Sequence, residues 1–245
     1  MILAIDVGNT STVFGLFSGK KLVKEWRCPT AKLKFPKISS EISRVMMASV
    51  VPSLDGKLKL GIGKHYQLKP FFVTAQNIPG LKVRLKNKKE IGADRVVDAL
   101  AAYTLYGGPL VVVDFGTATT FDAISAKGEY LGGAIAPGIA LARDALYEQT
   151  AKLPKIKISA PKKVIGKNTI LAMQSGLVYG YVGMVEGMVK KFKDQNSKFK
   201  TAKIIATGGL APLICKYTKV VDKIDIKLTL KGLRMVADDV EMAEE

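Results

Sequence analysis

Two stretches of this chain repeat one construction, and that repeat limits what the chain can fold into more than any other feature. Residues 2–17 read ILAIDVGNTSTVFGLF, and residues 110–125 read LVVVDFGTATTFDAIS. In each, an apolar strand ends in Asp-x-Gly, passes through a turn of small hydroxylic residues and leaves as a second apolar segment. Each therefore reads as a β-hairpin. Asp6 aligns with Asp114, Gly8 with Gly116 and Thr12 with Thr120. An Asp that closes a strand offers a carboxylate to a cation or its water. Gly lets backbone approach an oxyanion, and the N–H and hydroxyl groups that follow can donate to phosphate. Ordinary hairpins, in which Asp and Gly serve only turn geometry, are the competing reading for either copy alone. Repetition in the same register argues against it, and two such loops facing each other would grip a nucleotide's phosphates.

A chain of 245 residues can form one large domain or two small ones. The duplication favours two, spanning residues 1–108 and 109–245. With 48% apolar and 24% charged residues, the composition is that of a soluble globular protein. The net charge of +17, from 38 basic and 21 acidic residues, suits an anionic ligand such as ATP or nucleic acid. The lysines are scattered, with short clusters at 86–89 and 190–193 and no interleaved aromatics. That pattern favours a solvated surface over a nucleic-acid stripe. Cys28 and Cys215 lack metal or CxxC spacing and read as free thiols. The chain opens directly on a strand without an export signal, so a cytoplasmic protein is expected. Residues 170–185 are too short and too rich in Gly, Ser and Gln for a membrane span.

In chain order, a third strand near residues 22–27 completes a meander, and residues 45–51 read as a buried strand stopped by Pro52. Residues 57–67 are ambiguous. His65, the only histidine, has no second ligand-type residue nearby and is a surface or packing residue. Residues 70–74 read as another strand. From Ala93, the apolar residues Val96, Val97, Leu100, Ala101 and Leu105 recur at helical spacing until Gly107 and Gly108. Asp94 thus sits in the first helical turn. There the helix end favours an ionised carboxylate, as a general base requires. Asp is equally a preferred helix cap, so both roles stay open from the segment alone.

Taken together, DVGNT at 6–10, GADR at 92–95, DFGTATT at 114–120, GGAIAPG at 132–138 and TGG at 207–209 resemble, in that order, the motifs of type III pantothenate kinases. Those enzymes belong to the acetate and sugar kinase, heat-shock protein and actin superfamily. The resemblance implies an α/β chain of two duplicated ribonuclease H-like domains, the actin-like ATPase fold, each a mixed sheet flanked by helices. It also implies ATP-dependent phosphorylation of pantothenate, the first step toward coenzyme A, by a homodimer. Magnesium would accompany ATP, and a monovalent cation, potassium or ammonium, would be required. By the same resemblance Asp6, Val7, Gly8, Asn9, Thr10, Ser11, Thr12, Val13 and Thr117 bind ATP. Gly92, Ala93, Asp94, Arg95 and Thr169 bind pantothenate, with Asp94 as base, and Asp114 holds the monovalent cation. Leu85 stands where the family often has an aromatic residue, and Lys88 follows Asn87 where the family often has proline. Leucine can pack on the substrate but cannot donate a hydroxyl.

After the second hairpin the sequence predicts a short strand, a glycine-rich turn and a helix over residues 139–149. An exposed loop follows at 152–163, then a long helix capped by Asn168 or Thr169 and running to about residue 193. Gly176, Gly180, Gly183 and Gly187 form a small-residue stripe suited either to packing on the sheet or to a dimer seam. Residues 203–206 read as a last buried strand. It leads through Thr207, Gly208 and Gly209 into a helix, which makes either an anion or ribose site or a plain connection. By resemblance this loop faces adenosine. An acidic tail from residue 238, partly frayed, ends the last helix. A non-catalytic relative that binds nucleotide or nucleic acid as a regulator is the alternative, and retention of Asp6, Asp94 and Asp114 argues against it.

Overall fold

The computed structural model describes residues 1–195 and 197–244, with side chains described in the last helix as far as residue 240. In chain order the strands are β1 (Ile2–Val7), β2 (Ser11–Ser18), β3 (Lys21–Pro29), β4 (Arg44–Ser49), β5 (Pro70–Phe72), β6 (Lys82–Val83), β7 (Leu110–Phe115), β8 (Ala118–Ile124), β9 (Glu129–Pro137), β10 (Lys203–Thr207) and β11 (Lys223–Ile224). The helices are α1 (Pro52–Tyr66), α2 (Ala93–Tyr106), α3 (Ile139–Glu148), α4 (Thr169–Gln195), α5 (Ala211–Cys215) and α6 (Leu228–Glu244). Contacts divide the chain into one unit of Met1–Leu105 with Lys227–Glu245 and another of Tyr106–Ile226. The expected second domain ran to residue 245. Instead, α6 groups with the first unit, because its buried Leu228, Leu230, Leu233, Val236 and Ala237 lie against β1, β2 and β4.

The first unit carries a five-stranded sheet in the order β3-β2-β1-β4-β5. The first three strands form an antiparallel meander, and β4 and β5 add in parallel to β1. In the second unit the order β9-β8-β7-β10-β11 repeats the scheme, antiparallel among β7, β8 and β9 and parallel from β7 to β11. Alternation along the strands explains both cores. Leu3, Ile5 and Val7 enter a cluster with Phe14, Val45, Met47 and the buried Leu58 and Ile62 of α1. Val111, Val113 and Phe115 do the same beneath α4, with Phe121, Leu177, Val178 and Val185. Asp6 and Asp114 fall on the opposite faces of their strands.

Four readings change in detail. Residues 57–67, ambiguous by pattern, are the later turns of α1 and its cap: the helix runs Pro52–Tyr66, and Gln67 closes it in the left-handed conformation, φ 58°. His65 stacks on Phe35 there, with ring centroids 4.8 Å apart. The glycines at 132 and 133 lie within the nine-residue strand β9 and not in a turn. Thr12 pairs with Val7 and Thr119 pairs with Phe115, so the counterpart of Thr12 is Thr119 and not Thr120. The first loop is therefore one residue longer. Finally, an added Cβ at Gly176, Gly180, Gly183 or Gly187 would meet nothing within 4 Å, so this stripe does not serve close packing inside the chain. Asn168 caps α4, its Oδ1 accepting from the Leu171 N–H at 2.9 Å. The acidic tail is helical to Glu244. The fraying expected at its end lies outside the described residues.

Gly133 shows how tightly β8 and β9 are fitted, because a Cβ there would lie 1.7 Å from the Phe121 carbonyl oxygen. Gly133→Ala should lower stability by at least about 2 kcal/mol through overpacking. A fall in the urea midpoint with an unchanged slope checks this, and an unchanged midpoint would refute it.

Candidate active site

The first loop follows from the end of β1. The Gly8 N–H closes the turn by donating to the Ser11 carbonyl at 3.1 Å. Behind it, the Thr30 hydroxyl donates to the Gly8 carbonyl at 2.7 Å and lies 3.0 Å from the buried Thr12 hydroxyl. The Thr30 N–H donates to the Thr10 carbonyl at 3.1 Å. The loop is thus held from behind, with Asn9 and Thr10 left at the surface. Nothing in the motif pointed to Thr30, which is distant in sequence and reaches the loop only because β3 lies beside β2.

The second loop has the same turn, with Gly116 N–H donating to the Ala118 carbonyl at 3.0 Å. Its brace is Gly138, at the junction of β9 and α3. The Gly138 N–H donates to the Thr117 carbonyl at 3.1 Å, and a Cβ at Gly138 would lie 2.1 Å from that oxygen. Gly208, at φ +89°, brings the β10–α5 connection against Asp114. A Cβ there would lie 2.3 Å from Asp114 Oδ1. Only glycine permits that approach and that backbone angle. Thr119 is fully buried, and its hydroxyl has no hydrogen-bond partner.

Helix α2 starts at Ala93, which makes Asp94 its second residue. Asp94 Oδ1 accepts from the Arg95 N–H at 2.8 Å, so one carboxylate oxygen engages a first-turn amide. Gly92 precedes the helix because a Cβ there would lie 2.5 Å from Asp94 Oδ1. A cavity of about 640 Å³ lies beside Gly92 and Ala93, walled by Val50, Phe72 and Ile91 with Lys59 and Lys89 at its lining. Leu85, in the loop after β6, is half-buried and does not line it.

Among the expected residues, the first unit holds Asp6, Val7, Gly8, Asn9, Thr10, Ser11, Thr12, Val13, Leu85, Gly92, Ala93, Asp94 and Arg95. Asp114, Thr117 and Thr169 belong to the second, where Thr169 opens α4 at the surface. The fold brings Asp6 and Asp94 close enough for their charges to interact. Burial raises the Asp6 pKa from 3.8 to about 7, the Asp94 charge adds to the rise, and the Arg27 charge opposes it. Arg27 was not anticipated from the motifs.

Comparison with known proteins places the chain in a family. Residues 2–191 match the family model for type III pantothenate kinase. The type III pantothenate kinase of Moorella thermoacetica is 45% identical over 251 residues, covering 96% of this chain and 98% of that protein. The chain belongs to the type III pantothenate kinase family. Solved structures share the fold at low identity. A protein from Campylobacter jejuni described as a Baf family transcriptional activator has a TM-score of 0.63 at 20% identity, covering 98% of this chain and 99% of that one. The polyphosphate/ATP-glucomannokinase of Arthrobacter sp. strain KM has a TM-score of 0.51 at 14% identity, covering 97% and 98%. The actin-like fold of two duplicated mixed sheets flanked by helices is therefore that of this pantothenate kinase family member.

Family members use ATP with a divalent metal, and the residues here fit a magnesium ion carried by phosphates. Among the described residues no group of three or more His, Cys, Asp or Glu could hold a metal ion. Magnesium needs only one or two carboxylates when phosphates and water complete its shell, and Asp6 at the end of β1 would be one of them. No helix among the described residues is long and apolar enough to cross a membrane.

The raised pKa of Asp6 has a sign that can be tested. Between pH 3.8 and about 7 the folded chain keeps a proton that the unfolded chain releases. The group's contribution to stability is thus full below that window and lost as pH rises through it. Asp6→Asn should show a melting temperature that rises relative to the parent across the window and levels off above it. Parallel melting curves at all pH values would contradict the assignment.

Proposed function

We propose that this type III pantothenate kinase uses Asp94 as the general base that accepts the proton of pantothenate's primary hydroxyl as that oxygen attacks the γ-phosphorus of ATP. The observation that carries this reading is the placement of Asp94 in the first turn of α2, within charge range of Asp6 at the end of β1. The reaction itself, ATP-dependent phosphorylation of pantothenate, follows from family membership, and its product would enter coenzyme A synthesis. Asp6, Val7, Gly8, Asn9, Thr10, Ser11, Thr12 and Val13 bind ATP with Thr117, through backbone N–H and hydroxyl donors. Gly92, Ala93, Arg95, Leu85 and Thr169 hold pantothenate. The cavity beside Gly92 is of a size suited to a small ligand.

Magnesium, when bound, would be held by Asp6 and the phosphates and would offset phosphate charge. A monovalent cation, potassium or ammonium, would be held at Asp114. The fit there rests on the cradle that Gly208 and Gly116 leave around that carboxylate, where added Cβ atoms would lie 2.3 Å and 3.0 Å from its oxygens. Two observations support a homodimer: the glycine stripe on α4 faces open space, and Leu141 and Tyr147 on α3 are exposed. A cytoplasmic location fits this chemistry. The basic surface needs no nucleic-acid partner, since the ligands are anions.

In phosphoryl transfer most of the acceleration comes from positioning and charge stabilisation, with the base contributing about a hundred to ten-thousandfold. Asp94→Asn should keep the fold, because an Asn Oδ1 can still accept from the Arg95 N–H. It should lose turnover by about that factor, measured as phosphopantothenate formed from ATP and pantothenate. A folded variant with parental turnover would leave Asp94 as a helix-start residue only. Replacing potassium with sodium should slow the parent enzyme, and indifference to the ion would remove the role given to Asp114.

A further inference from the structure

We propose that Arg27 is a catalytic residue of the phosphoryl transfer: its guanidinium contacts the γ-phosphoryl group and stabilises the charge carried on its oxygens. The inference rests on the kinase reading of the first loop given above. It starts from strand register. Asp6 on β1 lies opposite Val13 on β2, and Val13 lies opposite Arg27 on β3. Residues opposite one another in antiparallel strands point to the same face. Asp6, Val13 and Arg27 therefore form one row across the sheet, with the carboxylate at its inner end and the guanidinium on the edge strand.

The side chain of Arg27 does not simply leave for solvent. Its Nη1 donates to Ser11 Oγ at 3.1 Å, so it leans over the loop assigned to the ATP phosphates. Ser11 shares that face, two residues before Val13. A guanidinium carries five N–H donors in a planar fork, enough to keep Ser11 and still present a donor pair to phosphoryl oxygens.

The duplication supplies an internal control. In the second unit the matching row is Asp114 opposite Thr120 and Thr120 opposite Ile135. The position of Arg27 is thus taken by an isoleucine that is 66% exposed. The second sheet forms with an apolar residue at that place, so a cation there is not a requirement of the sheet. In the transfer step the acceptor oxygen forms a bond to the γ-phosphorus as the bridging P–O bond breaks. ADP leaves with that electron pair, and the acceptor's proton passes to Asp94. Charge spreads over the phosphoryl oxygens as this happens, and an aligned arginine stabilises it.

The test compares the parent, R27A, R27K, S11A and the double variant S11A/R27A under saturating ATP, magnesium, potassium and pantothenate. R27A should lower kcat by about 100- to 1000-fold, as loss of one aligned charge donor does. KM for pantothenate should stay within about threefold, and added guanidinium ion should restore at least about tenfold of the lost kcat. R27K, which keeps charge but not the fork, should fold as the parent does and lose at least about tenfold. A parent that does not phosphorylate pantothenate would sink the kinase reading beneath this inference. An active parent with less than about tenfold loss in R27A, or in R27K should R27A fail to fold, would sink the inference alone. Equal losses in S11A, R27A and the double variant would also overturn it, because Arg27 would then act only by bracing Ser11.

Discussion

A carboxylate at the end of a central strand has little choice about where it points. β1 is hydrogen-bonded on one side to β2 and on the other to β4, and β7 is likewise enclosed by β8 and β10. Their alternate residues Leu3, Ile5 and Val7, and Val111, Val113 and Phe115, are fully or nearly fully buried. A slip of one residue would drive Asp6 into that apolar core and turn Ile5 out of it. The apolar residues therefore hold the acidic ones in place, and every element of the site in the first unit takes its position from that register.

Placing a carboxylate this way has an electrostatic consequence. Asp6 is desolvated and stands in the field of Asp94, and both effects disfavour its ionised form. The Arg27 charge acts in the other direction. A site of this kind is unbalanced while the two carboxylates face each other, and the proposed binding of a metal-bound nucleotide would relieve the repulsion. The net charge of +17 adds a long-range pull on any phosphate-bearing ligand, which bears on encounter rate more than on fold.

The repeat was legible because each copy carries strand, Asp-x-Gly and hydroxylic turn within one short window. The start of α2 was legible from its apolar spacing. What escaped depended on neighbours remote in the chain. α1 buries only Leu58 and Ile62 and carries glycines at 56, 61 and 63, so its helical period is faint. The glycines of β9 look like a turn until β8 is laid beside them, leaving no room for a Cβ at Gly133. The match of Thr12 with Thr119 is hidden by the extra residue in the first loop, since counting from the aspartates gives Thr120. Arg27 sits in an unremarkable edge strand, and only the register across β1, β2 and β3 aligns it with Asp6.

The return of α6 to the first sheet ties the two ends of the chain into one body. Gly232 lies so close to α2 that a Cβ would sit 2.5 Å from the Val97 carbonyl oxygen, and Gly15 on β2 lies under Leu230. As the chain leaves the ribosome, the sheet bearing Asp6 has one face uncovered until the final helix emerges, whereas the middle segment already has all its parts. Synthesis order and completion order thus differ: the unit begun first is finished last. A nascent chain halted before residue 227 would expose a greasy sheet to chaperones however well its first hairpin had formed.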